Sequence, residues 1–113
     1  MQLPVSLRAL HLEHNQIDSL APLPPLPQLQ LLDASHNQLA ALSGLHTKCP
    51  VLTELRLGNN LLADAAVLAP LGALGGLRLL DLRDNPLPDG YRLDALYPLL
   101  TLLELVCHGG LEP

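Results

Sequence analysis

The segment Cys49–Leu62 reads CPVLTELRLGNNLL, and the spacing of its apolar residues decides the fold. Leucine stands at positions 52, 55, 57 and 62, and asparagine stands at position 60, which gives the pattern LxxLxLxxNxL. The LxL part alternates in the way expected of a short strand with one buried face. One strand and one turn have nothing to bury these leucines against, so the pattern predicts similar units on both sides.

The same pattern occurs in phase in three further places, beginning at Leu7, Leu29 and Leu77. The asparagine of each unit follows the previous one after 22 to 25 residues. This is the consensus of a leucine-rich repeat, in which each unit stacks on the next. We therefore predict an α/β leucine-rich-repeat solenoid, a right-handed arc with a parallel sheet on its concave side. Its convex side is predicted to consist of 3₁₀ and polyproline II turns.

Two residue types define the return from one predicted strand to the next. The asparagine stands where the chain leaves the strand, and its amide is predicted to satisfy backbone groups of its own and the adjacent repeat. In the first return, leucine recurs every three residues among four prolines, at positions 22, 24, 25 and 27. Because proline excludes a regular α-helix and a three-residue period does not fit one, we expect short turns there.

The domain organisation follows from the same pattern. We predict a single domain over residues 1–113, with four repeats from about 7 to 87 and a C-terminal cap over about 88–108. Within the cap, residues 98–105 are predicted to contain a last, partial strand. Few apolar residues precede the first repeat, so we expect a monomer unless that end of the stack associates with another molecule.

Composition excludes several classes of function. Apolar residues make up 49% of the chain and aromatic residues only 2%, so leucine must fill the core. The net charge of -5 argues against direct binding to nucleic acid, which requires a basic face. The longest uncharged segment near the middle, residues 65–77, is too short to span a bilayer, so no membrane partner is expected. Two cysteines and no glycosylation motif predict an intracellular protein of the nucleus, the cytoplasm or both.

No residue set in the sequence predicts catalysis, so we expect neither an enzyme nor a cofactor. There is no serine elbow, no phosphate-binding glycine loop and no HExxH motif. Cys49 and Cys107 have no assured histidine partner and are interpreted as inert thiols. His11, His14 and His36 invite a metal interpretation, and the last two occupy the same position in adjacent repeats. Because no cysteine or carboxylate set completes a tetrahedral site, we predict no metal.

Functional residues of such a sheet are expected at the positions between and beside the inward leucines, which face the concave side. We predict that a protein partner binds there. The candidate contact residues are His11, Glu13, Leu31, Asp33, Glu54, Arg56, Leu79, Asp81, Arg83, Leu102 and Glu104.

Two rows within this set have alternative interpretations. Leu31, Leu79 and Leu102 form either an exposed apolar row that anchors a partner or leucines that neighbouring side chains cover. The charges at positions 33, 56 and 81 alternate in sign on adjacent strands, and they either pair with one another or contact a partner.

One stretch resembles a known family. The segment Thr47–Asn60, TKCPVLTELRLGNN, resembles a repeat of the acidic leucine-rich nuclear phosphoprotein 32 family, and the likeness extends through Leu82 and into the predicted cap. The resemblance implies regulation of a phosphatase or binding of nuclear or chromatin proteins. The capping helix and acidic tail of that family are not found in this sequence. Sds22-like regulators of phosphatase-1 share much of the consensus. The alternative is a structural subunit, similar to an axonemal dynein light chain or a spliceosomal leucine-rich-repeat protein.

Overall fold

A computed structural model describes residues 3–63, 70–87 and 104–106, the last three by their backbone only. Within these ranges the strands form one parallel sheet in chain order. The strands are β1 (Ala9–His11), β2 (Leu31–Asp33), β3 (Glu54–Arg56), β4 (Leu79–Asp81) and β5 (Glu104–Val106). The predicted solenoid sheet is thereby confirmed, and β5 is the predicted partial strand. The remainder of the predicted cap lies outside the described residues.

The register of the sheet aligns the same position of every repeat. Leu10, Leu32, Leu55, Leu80 and Leu105 are successive partners across the five strands. The side chains at positions 32, 55 and 80 are fully buried, as the alternation of the pattern predicts. The side chain at position 10 is half-buried, because within the described residues a repeat covers it on one side only.

The core of the described residues consists almost entirely of leucine. Each buried leucine contributes roughly 1.5–3 kcal/mol relative to an exposed one, and stacked repeats supply equivalent layers in which such side chains interlock. Ala34 and Cys49 fill two places in this core where the pattern departs from leucine. The fully or nearly fully buried leucines stand at positions 20, 23, 26, 29, 32, 39, 42, 45, 52, 55, 57, 62, 71, 74, 77, 80 and 82.

The return segments, as far as the described residues show them, are short, and the first consists of turns as its prolines predict. The first return contains no regular helix, and the third contains a 3₁₀ turn over residues 70–73. The second differs from the expectation of 3₁₀ or polyproline II turns, because it holds one α-helical turn, α1 (Leu45–Lys48). This turn closes with a bond from the Cys49 N–H to the Leu45 carbonyl (2.9 Å) and ends before Pro50, which disfavours a helical residue ahead of it. No helix within the described ranges could span a membrane.

Lys48 links the first two return segments. Its ammonium group donates hydrogen bonds to the carbonyls of Leu20 (3.1 Å) and Ala21 (2.5 Å). Its own carbonyl accepts a hydrogen bond from the Leu26 N–H at 2.8 Å. The side chain therefore fixes the proline-containing return of the first repeat against the helical turn of the second.

Gly44 directly precedes α1 and has a left-handed backbone conformation, which is strained for residues that carry a Cβ atom. Its φ is +77°, and an added Cβ would meet only the Thr47 hydroxyl at 3.8 Å. We therefore expect Gly44→Ala to lower the free energy of unfolding by about 1–2 kcal/mol through backbone strain alone. Gly75→Ala is the matched control, since φ there is not positive and an added Cβ meets nothing within 4 Å. Urea denaturation of both variants measures the difference, and equal stabilities would contradict this account of Gly44.

Candidate functional site

The repeat asparagines form hydrogen bonds with backbone groups where the strands end, next to the concave face. The Asn60 side-chain amide donates to the carbonyls of Ala34 (3.0 Å), Leu57 (3.0 Å) and Gly58 (3.3 Å). Its oxygen accepts the Leu39 N–H at 3.0 Å. One buried side chain thus satisfies backbone groups of two adjacent repeats, which confirms the predicted scaffold role of this position.

The residue before each of these asparagines has a left-handed backbone. His14, His36, Asn59 and Asp84 have φ values of 60°, 57°, 58° and 59°. Histidine, asparagine and aspartate tolerate this region better than most residues. The rings at positions 14 and 36 stack with centroids 4.2 Å apart and an interplanar angle of 11°, which confirms that they are neighbours. These side chains form an exposed row along the sheet edge.

Two arginine–carboxylate ion pairs of the described residues lie on the concave face, each within one repeat. The Arg56 Nε atom is 2.7 Å from a carboxylate oxygen of Glu54, and an Arg83 guanidinium nitrogen is 2.9 Å from an oxygen of Asp81. The interpretation that residues 33, 56 and 81 pair with one another across strands is therefore wrong for Arg56, the only arginine among them. Side chains on a strand lean along its direction, which brings residues two apart into contact.

Asp81, one of the predicted contact residues, is almost fully buried. Its side chain is only 6% exposed. One carboxylate oxygen accepts hydrogen bonds from the Arg83 backbone N–H (3.0 Å) and Nε (3.1 Å), and the other accepts one from Nη2 (2.9 Å). Asp81 therefore holds the exposed Arg83 side chain in place, and the guanidinium is the group that a partner would meet.

The half-buried carboxylate of Asp33 is surrounded by polar and charged groups. Burial raises the pKa of Asp33, but the hydrogen bonds from Ser35 and the charge of Arg56 lower it below its ordinary value. The Ser35 hydroxyl and N–H lie 2.5 Å and 3.1 Å from the same carboxylate oxygen. Next to this group, His11 Nδ1 is 3.3 Å from a Glu13 carboxylate oxygen.

The apolar row of the prediction is less exposed than expected. Leu31 and Leu79 are half-buried, and Glu54 lies between them in the register of the sheet. Neighbouring side chains cover part of each leucine, and the remainder faces the concave side. Leu102 lies outside the described residues, and Glu104 is described by its backbone only.

A polar cavity of about 310 Å³ lies where the strands end, and most of its residues were not among the predicted contacts. Gly58 forms part of it, and an added Cβ there would come within 3.3 Å of the Arg83 carbonyl oxygen. A glycine directly after an LxL strand was the available signal for this close approach. The cavity is lined by Asp33, Ser35, His36, Arg56, Gly58, Asn59, Asp81, Arg83 and Asp84.

Cys49 takes no part in this face. Its side chain is fully buried in the leucine core, and burial raises the pKa of the thiol, an effect that the nearby Lys48 charge opposes only in part. A buried neutral thiol of this kind is a poor nucleophile and metal ligand, in agreement with its interpretation as inert. Cys107 lies outside the described residues.

The family comparison matches this geometry. The model named "Leucine Rich repeats (2 copies)" matches residues 27–70, which include the second and third strands and the return between them. The chain has the leucine-rich-repeat fold. Solved structures of two Listeria monocytogenes internalins share the fold of this leucine-rich-repeat chain. Internalin C2 has a TM-score of 0.75 and 32% identity, over 90% of this chain and 42% of the internalin. Internalin F has a TM-score of 0.70 and 26% identity, over 92% and 31%.

Curated relatives of the leucine-rich-repeat chain are much longer proteins. The geranylgeranyl transferase type-2 subunit alpha of Sus scrofa is 46% identical over 79 residues, which are 69% of this chain and 14% of the subunit. The human subunit has the same identity and coverage. Leucine-rich repeat-containing protein 23 of Bos taurus is 37% identical over 98 residues, 85% of this chain and 29% of that protein. The chain thus spans less than a third of these relatives, and none of them carries the name of the nuclear phosphoprotein family.

Proposed function

We propose that this chain is a non-enzymatic protein-interaction module that binds one protein partner on its concave face. The observation that carries the proposal is the arrangement around β3 and β4. Leu79 leaves part of its apolar surface exposed there, and two arginines of the same two repeats are each paired with a carboxylate of their own repeat. Interfaces commonly combine apolar anchors with charged groups at their rim.

The ion pairs favour this role because they order the contact groups before a partner arrives. The Arg83 guanidinium donates two hydrogen bonds to Asp81, and Arg56 Nε donates one to Glu54. Ordering a long side chain at an interface costs about 0.5–1.5 kcal/mol, and this cost is smaller when the side chain is already fixed. The two guanidinium groups are therefore suited to donate hydrogen bonds to carboxylates or backbone carbonyls of a partner.

The relatives fit an interaction segment better than a catalytic one. Similar repeats make up 14% of a prenyl transferase subunit and 29% of a protein named for its leucine-rich repeats. The same repeats in such different proteins are consistent with a binding surface that each protein uses with its own partner. The activity of the transferase is not carried over to this chain.

Narrower functions rest on the sequence resemblance alone. Similarity to the acidic leucine-rich nuclear phosphoprotein 32 family and to Sds22-like regulators suggests a phosphatase regulator or a nuclear protein that acts as a monomer inside the cell. The alternative is a structural subunit of an axonemal or spliceosomal assembly. Stoichiometric copurification with a large complex would favour the alternative, whereas recovery of a phosphatase or of chromatin proteins would favour the first.

The concave-face proposal is tested by matched charge and apolar substitutions. Arg56→Glu and Leu79→Glu alter the face, whereas Arg78→Glu and Leu61→Glu make the same changes at exposed positions outside it. We expect the first pair to reduce capture of a specific partner from the native source at least about tenfold, since loss of a binding hot spot exceeds 1.4 kcal/mol. The control pair should retain it.

The experiment counts only variants that remain folded, which circular dichroism and urea denaturation establish before capture. Quantitative mass spectrometry then compares each variant with the unchanged chain. A partner that all four variants retain, or that only the control pair loses, would show that binding does not use the concave face.

A further inference from the structure

Three side chains from the first two repeats converge at one end of the concave face. His11, Glu13 and Asp33 each place a nitrogen or oxygen atom within 4.8 Å of the others. The register of the sheet accounts for this, because His11 on β1 is the direct partner of Asp33 on β2. Glu13 lies two residues beyond His11, and its carboxylate turns back to within 3.3 Å of the imidazole Nδ1 atom.

The carboxylates of this cluster have different ion-pair partners from the other carboxylates of the concave face. Glu54 and Asp81 each form a salt bridge with an arginine of the same repeat. Glu13 and Asp33 form none with lysine or arginine within the described residues, although Arg56 acts on Asp33 from the neighbouring strand. Two carboxylates at this separation repel one another unless a proton or a cation lies between them.

We propose that His11, Glu13 and Asp33 bind a divalent transition-metal ion. One imidazole nitrogen and two carboxylate oxygens are ligands that zinc accepts, and three protein ligands leave a fourth position open. Because the cluster faces the concave side and His11 is 60% exposed, the open position is accessible to water or to a side chain of another protein. The sequence alone did not indicate the site, because its ligands come from two repeats and include no cysteine.

The stacked histidines next to the cluster do not form an equivalent site. The rings of His14 and His36 are nearly parallel, with an angle of 11° and a centroid distance of 4.2 Å. A metal bound to a ring nitrogen lies close to the plane of that ring, and two stacked rings have no such point in common. A substitution at position 36 is therefore a suitable control for the loss of an exposed histidine.

Zinc chloride titrated calorimetrically into the full chain tests the proposal. The chain carries Cys107→Ser in all samples, because a thiolate would otherwise compete for zinc. We expect one zinc ion per chain. His11→Asn, Glu13→Gln and Asp33→Asn should each weaken binding at least about tenfold, since even the loss of groups that merely orient metal ligands weakens binding 10- to 100-fold. His36→Asn should change the affinity less than about twofold.

Other outcomes would overturn the site. These are the absence of zinc binding by the chain that carries Cys107→Ser alone, retention of full affinity by Glu13→Gln and Asp33→Asn, and a loss in His36→Asn as large as that in His11→Asn. Asp33→Asn keeps an oxygen that can accept the Ser35 hydrogen bonds, so its effect reports on the charge of the ligand. Because no protein partner is present in the titration, its failure would leave the proposed protein-binding function unaffected.

Discussion

Asn60→Ala is expected to lower the free energy of unfolding by about 3 kcal/mol or more, because several buried backbone groups lose their partner. The side chain is only 4% exposed. It accepts a hydrogen bond from the Leu39 N–H and donates hydrogen bonds to the carbonyls of Ala34 and Leu57. Each buried group left without a hydrogen bond costs about 1–3 kcal/mol of stability. Urea denaturation followed by circular dichroism measures the effect.

Asn15→Ala is the matched control at the same position of the first repeat. Its amide donates only to the carbonyls of Leu12 (2.8 Å) and Glu13 (3.2 Å), both in its own repeat, and its side chain is exposed. Water can replace these bonds, so we expect a loss of about 1 kcal/mol or less. Equal losses for Asn15→Ala and Asn60→Ala would show that hydrogen bonds between repeats do not determine the importance of the position.

Leu55→Ala is expected to destabilise the chain by about 2–5 kcal/mol, the range measured for truncation of a buried leucine. Leu55 is fully buried in β3, with the leucines of β2 and β4 as its direct neighbours in the register. The loss combines the lost burial of the side chain with a cavity that a close-packed stack cannot readily fill.

Leu61→Ala provides the control, because this leucine is 52% exposed although it lies in the same repeat. We expect its effect to remain within about 0.5 kcal/mol. Because each repeat contacts only its neighbours, a defect in the third repeat should also weaken the coupling between the two ends of the stack. A broader urea transition for Leu55→Ala would report this loss of coupling, whereas equal stabilities of the two variants would contradict the assignment of the core.

The sequence was sufficient to predict the repeats and the sheet because their residues obey a simple periodicity. Leu32, Leu55 and Leu80 lie in the core where the LxL pattern places them, and they are partners in one register. Asn60 makes the predicted bonds because its position follows the strand at a fixed distance. Such features depend on backbone geometry, which every repeat shares.

The candidate site was less predictable because it depends on the directions that individual side chains take. The sequence places Arg56 beside both Asp33 and Asp81, but the arginine turns along its own strand to Glu54. The convergence of His11 with two carboxylates likewise requires positions from two strands and a turned side chain. Spacing in the sequence shows which residues share a face, but not which of them meet.

The narrower family assignment stays a prediction for a related physical reason. The residues that define each repeat are mostly buried leucines and scaffold asparagines, and many groups of repeat proteins share them for the same physical reasons. The residues of the concave face carry the differences between such groups, and they have no readable motif. The resemblance to nuclear phosphoproteins and the similarity to segments of longer proteins are therefore compatible with one fold.

Site-specific photo-cross-linking tests the proposed binding face most directly. An apolar photoreactive amino acid replaces Leu31 on the concave face in one sample, which leaves both arginines in place, and Val51, which is 43% exposed in the return segment, in another. We predict that the chain substituted at position 31 cross-links to one protein from the native source and that the chain substituted at position 51 does not. Cross-linking of that partner from position 51 alone would contradict binding on the concave face.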